Sequence, residues 1–164
     1  DLIIRSSDHV DFYVHRLVLS LSSPVFANML TFPQPPGTDP QHPVVDVLED
    51  SATLDAFLRI CYPVPDPDVQ TCSLIRNVLD AAMKYDAPAV VTAMKRALSQ
   101  PHLLADNPLR VFALACFFGM EAETKAAAEN AVIANRVVGR ICAELEEIPA
   151  GAYYRLLQLH RTRT

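Results

Sequence analysis

The sequence predicts an α+β domain dominated by helix, on three observations. Apolar residues alternate with a period of two near the start of the chain. Beyond Val25 they recur at the three- and four-residue spacing of helices. Proline and capping residues mark the breaks between these segments, for the 164 residues include 13 Pro and only 4 Gly.

Each element follows from its own residues. Leu2 and Ile4, then Val10, Phe12 and Val14, flank the polar break Ser6-Ser7-Asp8-His9 and read as a β-hairpin. Asp8-His9 stands where Asp-Gly would signal a two-residue turn, so a longer turn is expected. A short helix over 15 to 22 ends at Ser22-Ser23-Pro24, where Ser23 is placed to cap a second helix with Pro24 at its first position. Val25, Phe26, Met29 and Leu30 form that helix's apolar side. Residues 31 to 43 hold five prolines and Gly37 and are expected to form an exposed loop. Val44, Val45 and Val47 make a third strand, and Asp50 or Ser51 caps a helix burying Leu54, Phe57, Leu58 and Cys61.

Pro63-Val64-Pro65-Asp66-Pro67 then separates a helix from near Thr71, with Leu74, Ile75, Val78, Leu79, Ala82 and Met83 on one side, closed by Tyr85-Asp86-Ala87-Pro88. The next helix carries Val91, Met94 and Leu98 and stops before Pro101. Asn107-Pro108 signals a capped helix with an apolar stripe of Leu109, Phe112, Ala113, Cys116 and Phe117, ended by Gly119. The alanine-rich stretch 121 to 138 and the segment from Pro149 through Tyr153, Leu156, Leu157 and His160 each predict one more helix. No repeat of solenoid length is present.

Composition narrows the function classes. With 51% hydrophobic and 20% charged residues the chain can bury a core, and disorder is not expected. A net charge of −5 and no concentrated basic stretch argue against direct nucleic-acid binding. Arg155, His160, Arg161 and Arg163 cluster at the C-terminus, where cations suit the end of a helix dipole. No apolar run approaches the roughly 20 residues that span a bilayer, and no signal peptide opens the chain. The first residue is Asp1 rather than Met, so the chain reads as part of a longer product. Cys61, Cys72, Cys116 and Cys142 are scattered without a C-x-x-C pair, which suggests reduced structural thiols in cytoplasm or nucleus.

No catalytic, cofactor or metal site is expected. Gly37, Gly119, Gly139 and Gly151 cannot assemble a phosphate-cradling loop or a G-x-S-x-G elbow. His9, His15, His42, His102 and His160 lack H-x-x-x-H or H-E-x-x-H spacing. His15 follows Ser6, Ser7 and Asp8, yet a hairpin does not aim those groups at one atom, so a role at a helix start is expected. Glu144, Glu146 and Glu147 read as a solvated helical face.

Longer stretches resemble a known family. Asp1-Leu2-Ile3-Ile4, Phe12-Tyr13-Val14-His15-Arg16-Leu17-Val18-Leu19-Ser20 and Ser23-Pro24-Val25-Phe26-Ala27-Asn28-Met29-Leu30 resemble, in order and spacing, the opening half of a BTB/POZ domain. Phe57-Leu58-Arg59-Ile60-Cys61-Tyr62 and Leu79-Asp80-Ala81-Ala82-Met83-Lys84-Tyr85 resemble its later helices. The likeness covers about residues 1 to 100, taken as the BTB/POZ domain, with 101 to 164 as a helical extension packed on its core. Within that extension, 107 to 113 and 150 to 157 are similar to the helical tail of a large fungal branch of BTB proteins.

The resemblance implies a small three-stranded sheet with helices, an adaptor that commonly forms a homodimer, and partners such as a cullin of a ubiquitin ligase or a transcriptional corepressor. It assigns Asp1 and Arg16 to a charged pair beneath the dimer surface, with a bidentate guanidinium–carboxylate contact. Leu17, Leu21 and Met29 are then expected in the self-association surface, and Phe32 and Tyr62 at partner contacts. A monomeric subunit of the Skp/elongin kind is the alternative. Three departures bear on this. The leading helix that the family exchanges between partners has no counterpart before Asp1. The hydrophobic-x-Glu element of cullin binders is replaced by Phe32-Pro33-Gln34, and the family's Tyr-Thr-Gly by Tyr62-Pro63-Val64.

Overall fold

The computed structural model describes residues 1–33 and 42–163. Most of the proline-rich loop expected over 31 to 43, Gly37 included, lies outside the described residues. The chain divides into two compact units: residues 1–69 with 73–94, and residues 70–72 with 95–164.

The first unit begins with the expected hairpin, β1 (Leu2–Arg5) and β2 (Asp11–Val14). Its connection is longer than two residues. Ser6 Oγ accepts the Val10 amide at 2.9 Å, and His9 takes the left-handed conformation at φ 62°. β3 (Val44–Asp46) pairs parallel to β1, giving the order β2-β1-β3 with Ile3 opposite both Tyr13 and Val44. Central β1 is covered on both faces, so Leu2, Ile3 and Ile4 are all buried and do not alternate. Edge strand β2 does alternate, with Val14 buried and Tyr13 outward.

Helices α1 (Arg16–Ser22) and α2 (Pro24–Met29) are joined at Ser23. Fully buried Ser23 caps α2 by accepting the Phe26 amide at 3.0 Å, and its hydroxyl donates to the Tyr85 carbonyl. Only Phe26 of α2's expected apolar side is fully buried; Val25, Met29 and Leu30 are half-buried. Asp50 caps α3 (Ser51–Cys61) through the Thr53 amide at 2.8 Å, while Asp8 accepts from the Ser51 amide and hydroxyl at 2.8 and 2.6 Å. Those bonds, with one from Ser6, pull the Asp8 pKa down to about 2.

α4 (Cys72–Lys84) buries Ile75, Val78, Leu79 and Ala82 as expected. Met83, read as part of that face, is 59% exposed because the packed arc turns towards Ala81 instead. Phe26, Phe57 and Tyr85 form the centre of this unit: Tyr85 stacks on Phe26 at 4.4 Å, and Phe57 meets both edge-on. The Tyr85 hydroxyl donates to Glu49 Oε2 at 2.8 Å, and Lys84 Nζ bonds Glu49 Oε1 at 2.9 Å. Burial pushes the Tyr85 pKa up to about 12. Burial also works against the Glu49 charge, but the hydrogen bonds from Lys84 and Tyr85 outweigh it and hold that carboxyl below its ordinary value. α5 (Pro88–Leu98) follows, burying Val90, Met94 and Leu98.

The second unit is helical. Pro101 does more than stop the preceding helix: it is the first residue of α6 (Pro101–Asp106), a short helix the spacing did not predict. α7 (Pro108–Phe117) starts at Asn107-Pro108, but the Asn107 side chain makes no capping bond. Nor is α7 a one-sided stripe. Val111, Leu114 and Ala115 are buried along with Leu109, Phe112 and Ala113, while Phe117 is partly exposed. α8 (Glu121–Ile133) is shorter than expected, ending as Asn135 turns left-handed at φ 51°. It packs on α7, and its Ala127, Ala128 and Ala131 are buried. A 3₁₀ turn (Ala143–Glu147) precedes α9 (Ala150–Arg163), which buries Ala152 and Leu156. Glu144 corrects the expectation of a solvated acidic face. It is buried, because Arg110 of α7 reaches it with a 2.5 Å Nε–Oε1 contact.

Candidate interaction surface

Helix α1 is held at its first turn by groups remote in sequence. Its N-cap residue His15 supplies no side-chain cap. The Asp1 carboxylate accepts the Arg16 amide at 2.9 Å, and the Tyr62 hydroxyl accepts the His15 amide at 2.7 Å. Two of the four amides orphaned at a helix start are thereby satisfied, and the negative carboxylate suits the positive end of the dipole. His15 Nδ1 lies 3.1 Å from the same phenol oxygen.

This geometry corrects the expected bidentate Asp1–Arg16 pair. Among the described residues Asp1 meets Arg16 only through the backbone amide, and Asp1 is exposed rather than buried. Arg16 and Asp1 are close because one caps the other's helix, a contact that charge pairing in the sequence does not distinguish from an ion pair.

With its start fixed, α1 turns Leu19 fully inward and Leu17 and Leu21 outward, at 69% and 79% exposure. The latter two stand one turn apart on one face. Tyr13, on edge strand β2, is 74% exposed. It was not among the residues picked from the sequence, although the period of two that buries Val14 puts Tyr13 on the opposite side. Met29 is half-buried at the end of α2, and Phe32 beyond it is 65% exposed. Tyr62 is half-buried and committed to α1 through its hydroxyl; its ring also lines a groove of about 280 Å³ with Phe12, Tyr13, Val14 and Leu58. Asp1, Arg16 and Tyr62 therefore converge on one helix end, while Leu17 and Leu21 form a face beyond it.

Catalytic geometry does not assemble around His15. Its ring is against Tyr62, the Asp8 carboxylate is engaged by Ser51, and Ser6 Oγ is engaged with Val10. Among the described residues no group of three His, Cys, Asp or Glu is placed to hold a metal ion. No helix among them is long and apolar enough to cross a membrane.

The elements from the β-hairpin through the helical hairpin, the parallel third strand and three further helices fall within the stretch that a family model matches. The model for the BTB/POZ domain matches residues 1–102. The chain belongs to the BTB/POZ family. Among curated proteins none matches the chain. A BTB/POZ domain is a protein–protein interaction module, and members generally bind other proteins rather than catalyse reactions. The fold here is the α+β BTB/POZ fold followed by C-terminal helices. BTB/POZ domains commonly homodimerise, which directs attention to the exposed face of α1.

Proposed function

We propose that this BTB/POZ domain self-associates through the outer face of α1 and thereby presents partner proteins in pairs, as an adaptor or scaffold. The observation that carries the reading is Leu17 and Leu21, two large aliphatic side chains one turn apart and mostly exposed on a helix whose start is pinned by Asp1 and Tyr62. Such a rigid apolar stripe gains from meeting its own copy, since a two-fold interface needs only one self-complementary patch. Asp1, Arg16 and Met29 are included in the proposed interface.

Sedimentation equilibrium over a concentration series tests the reading. The chain is expected to be dimeric at tens of micromolar, and Leu17→Asp with Leu21→Asp to be monomeric with the parent's helix content and cooperative unfolding. A wild-type monomer at that concentration counts against it.

Recruitment of a second protein is the other half of the proposal. Exposed Phe32, where the chain leaves α2, supports a partner contact there. A cullin is a less favoured partner than a corepressor or a dedicated target, because Pro33-Gln34 supplies no glutamate. Pull-down from native extract, scored for cullin, corepressor or self, separates these, and a monomeric chain that captures cullin would favour the Skp/elongin-like alternative. We take residues 1 to 100 as the interaction domain and 101 to 164 as a helical extension of the fungal kind, acting in cytoplasm or nucleus.

A further inference from the structure

We propose that the helical unit carries a second, separate docking site, for an acidic and apolar segment of a partner protein. The site is a pocket of about 140 Å³ whose lining includes Leu109, Arg110, Arg136, Arg140 and Ile141. The three guanidiniums come from the start of α7 and from the chain that leaves α8.

Two of them are fixed in place. Arg136 Nη1 donates to the carbonyls of Ala105 and Asp106 at 2.9 and 2.7 Å, the last carbonyls of α6. Arg110 Nε is engaged by Glu144 Oε1 at 2.5 Å. A guanidinium has five donors in a rigid fork, so a single Nη anchored by Arg136 leaves donors for a ligand without the entropy cost of ordering the side chain. Arg140 is exposed and, among the described residues, makes no hydrogen bond or ion pair. Arg136 and Arg140 have no carboxylate partner among the described residues, so they offer positive charge in a chain whose net charge is −5, while Asp106 lines the pocket and Glu144 pairs with Arg110.

Beside Arg140 the pocket lining includes an exposed aliphatic, Ile141, and Val138 lies just before it in the chain. Ile141 is 89% exposed and Val138 62%, and they bracket Arg140 across Gly139, which holds the left-handed turn at φ 76°. Cation and exposed aliphatics thus alternate along one stretch. Charge complementarity selects the occupant: a carboxylate suits the guanidinium fork bidentately, and an aliphatic neighbour on the same segment covers Ile141. A multiply charged phosphate suits the site less, because it would leave the aliphatics bare. The segment that fits is a short stretch of Asp or Glu alternating with Leu, Ile or Val.

The test uses the full chain and a fluorescein-labelled octapeptide of alternating glutamate and leucine, read by fluorescence polarisation. Controls of the same length alternate lysine with leucine and glutamate with serine. Saturable binding of the first peptide alone is expected, weakened about tenfold or more by Arg140→Glu and by Ile141→Ser, two exposed positions whose variants should melt as the parent does. The Leu17→Asp/Leu21→Asp chain should bind it undiminished, which separates this site from the self-association face. Three results would overturn the proposal: no saturation at millimolar protein, affinity unaltered by Arg140→Glu, or equal binding of the glutamate–serine peptide with full displacement by inorganic phosphate, which marks a plain anion site.

Discussion

The two units reach a packed interior by opposite means. The first is built on large side chains and local caps: Phe26, Phe57 and Tyr85 interlock, and α2 and α3 each start on a side chain that accepts an amide. In the second, α6, α7 and α8 start without a side-chain cap, and α8, which packs on α7, buries mainly alanines. The starts of α2 and α3 are thus specified locally, while α1, held by Asp1 and Tyr62, and the uncapped α6, α7 and α8 depend on groups brought to them by the fold.

Opposite substitutions should break the two units. Phe57→Ala, which empties the aromatic centre of the first, is expected to cost about 3–5 kcal/mol. The same kind of truncation is not possible at fully buried Ala131. There Ala131→Leu overpacks the α7–α8 contact and should cost about 1–3 kcal/mol. Urea unfolding followed by segment-resolved hydrogen exchange reads both, and loss of protection in the wrong unit would refute the contrast.

Capping sharpens it further. Ser23→Ala removes the α2 cap and leaves the Tyr85 carbonyl without its donor, for an expected loss of about 2 kcal/mol. Asn107→Ala, at the start of α7, should change stability by less than about 0.5 kcal/mol, since that side chain caps nothing. Equal losses at the two sites would show that α7 relies on its cap after all.

The smallest effect concerns pH. Glu49 has its folded pKa lowered, so its contribution is complete above the ordinary carboxylate range and is lost as pH falls through the folded value. The urea midpoint of the parent should therefore fall on acidification more steeply than that of Glu49→Gln. Parallel curves would mean that the Lys84 and Tyr85 bonds to Glu49 add no acid-sensitive stability.

Much of the first unit was legible. Ser23-Pro24 announced a capped helix, Asp50 stood before the Leu54–Phe57–Leu58 face, and the period of two drew the hairpin. These signals are local: a cap acts over three residues, and strand alternation over two. The surface around α1 is half legible: the sequence offers Leu17 and Leu21 as outward residues, which are exposed, but does not single out exposed Tyr13 and suggests an ion pair where Asp1 caps α1. The second unit was harder. Asn107-Pro108 marks the start of α7 although the Asn107 side chain caps nothing, Phe117 reads as core yet is exposed, and Glu144 reads as solvated because its partner Arg110 lies 34 residues away.

By itself, then, the sequence determined where the first unit's elements start and stop, since capping hydroxyls and carboxylates, proline at a first helical position and side-chain periodicity act within a turn or two. Tertiary structure alone decided which helix faces are covered, that Arg110 draws Glu144 inward, that Asp1 and Tyr62 cap α1 across 15 and 47 residues, and that Ile141 remains exposed beside Arg140. Burial and ion pairing depend on which surfaces meet, and no short-range pattern records that meeting.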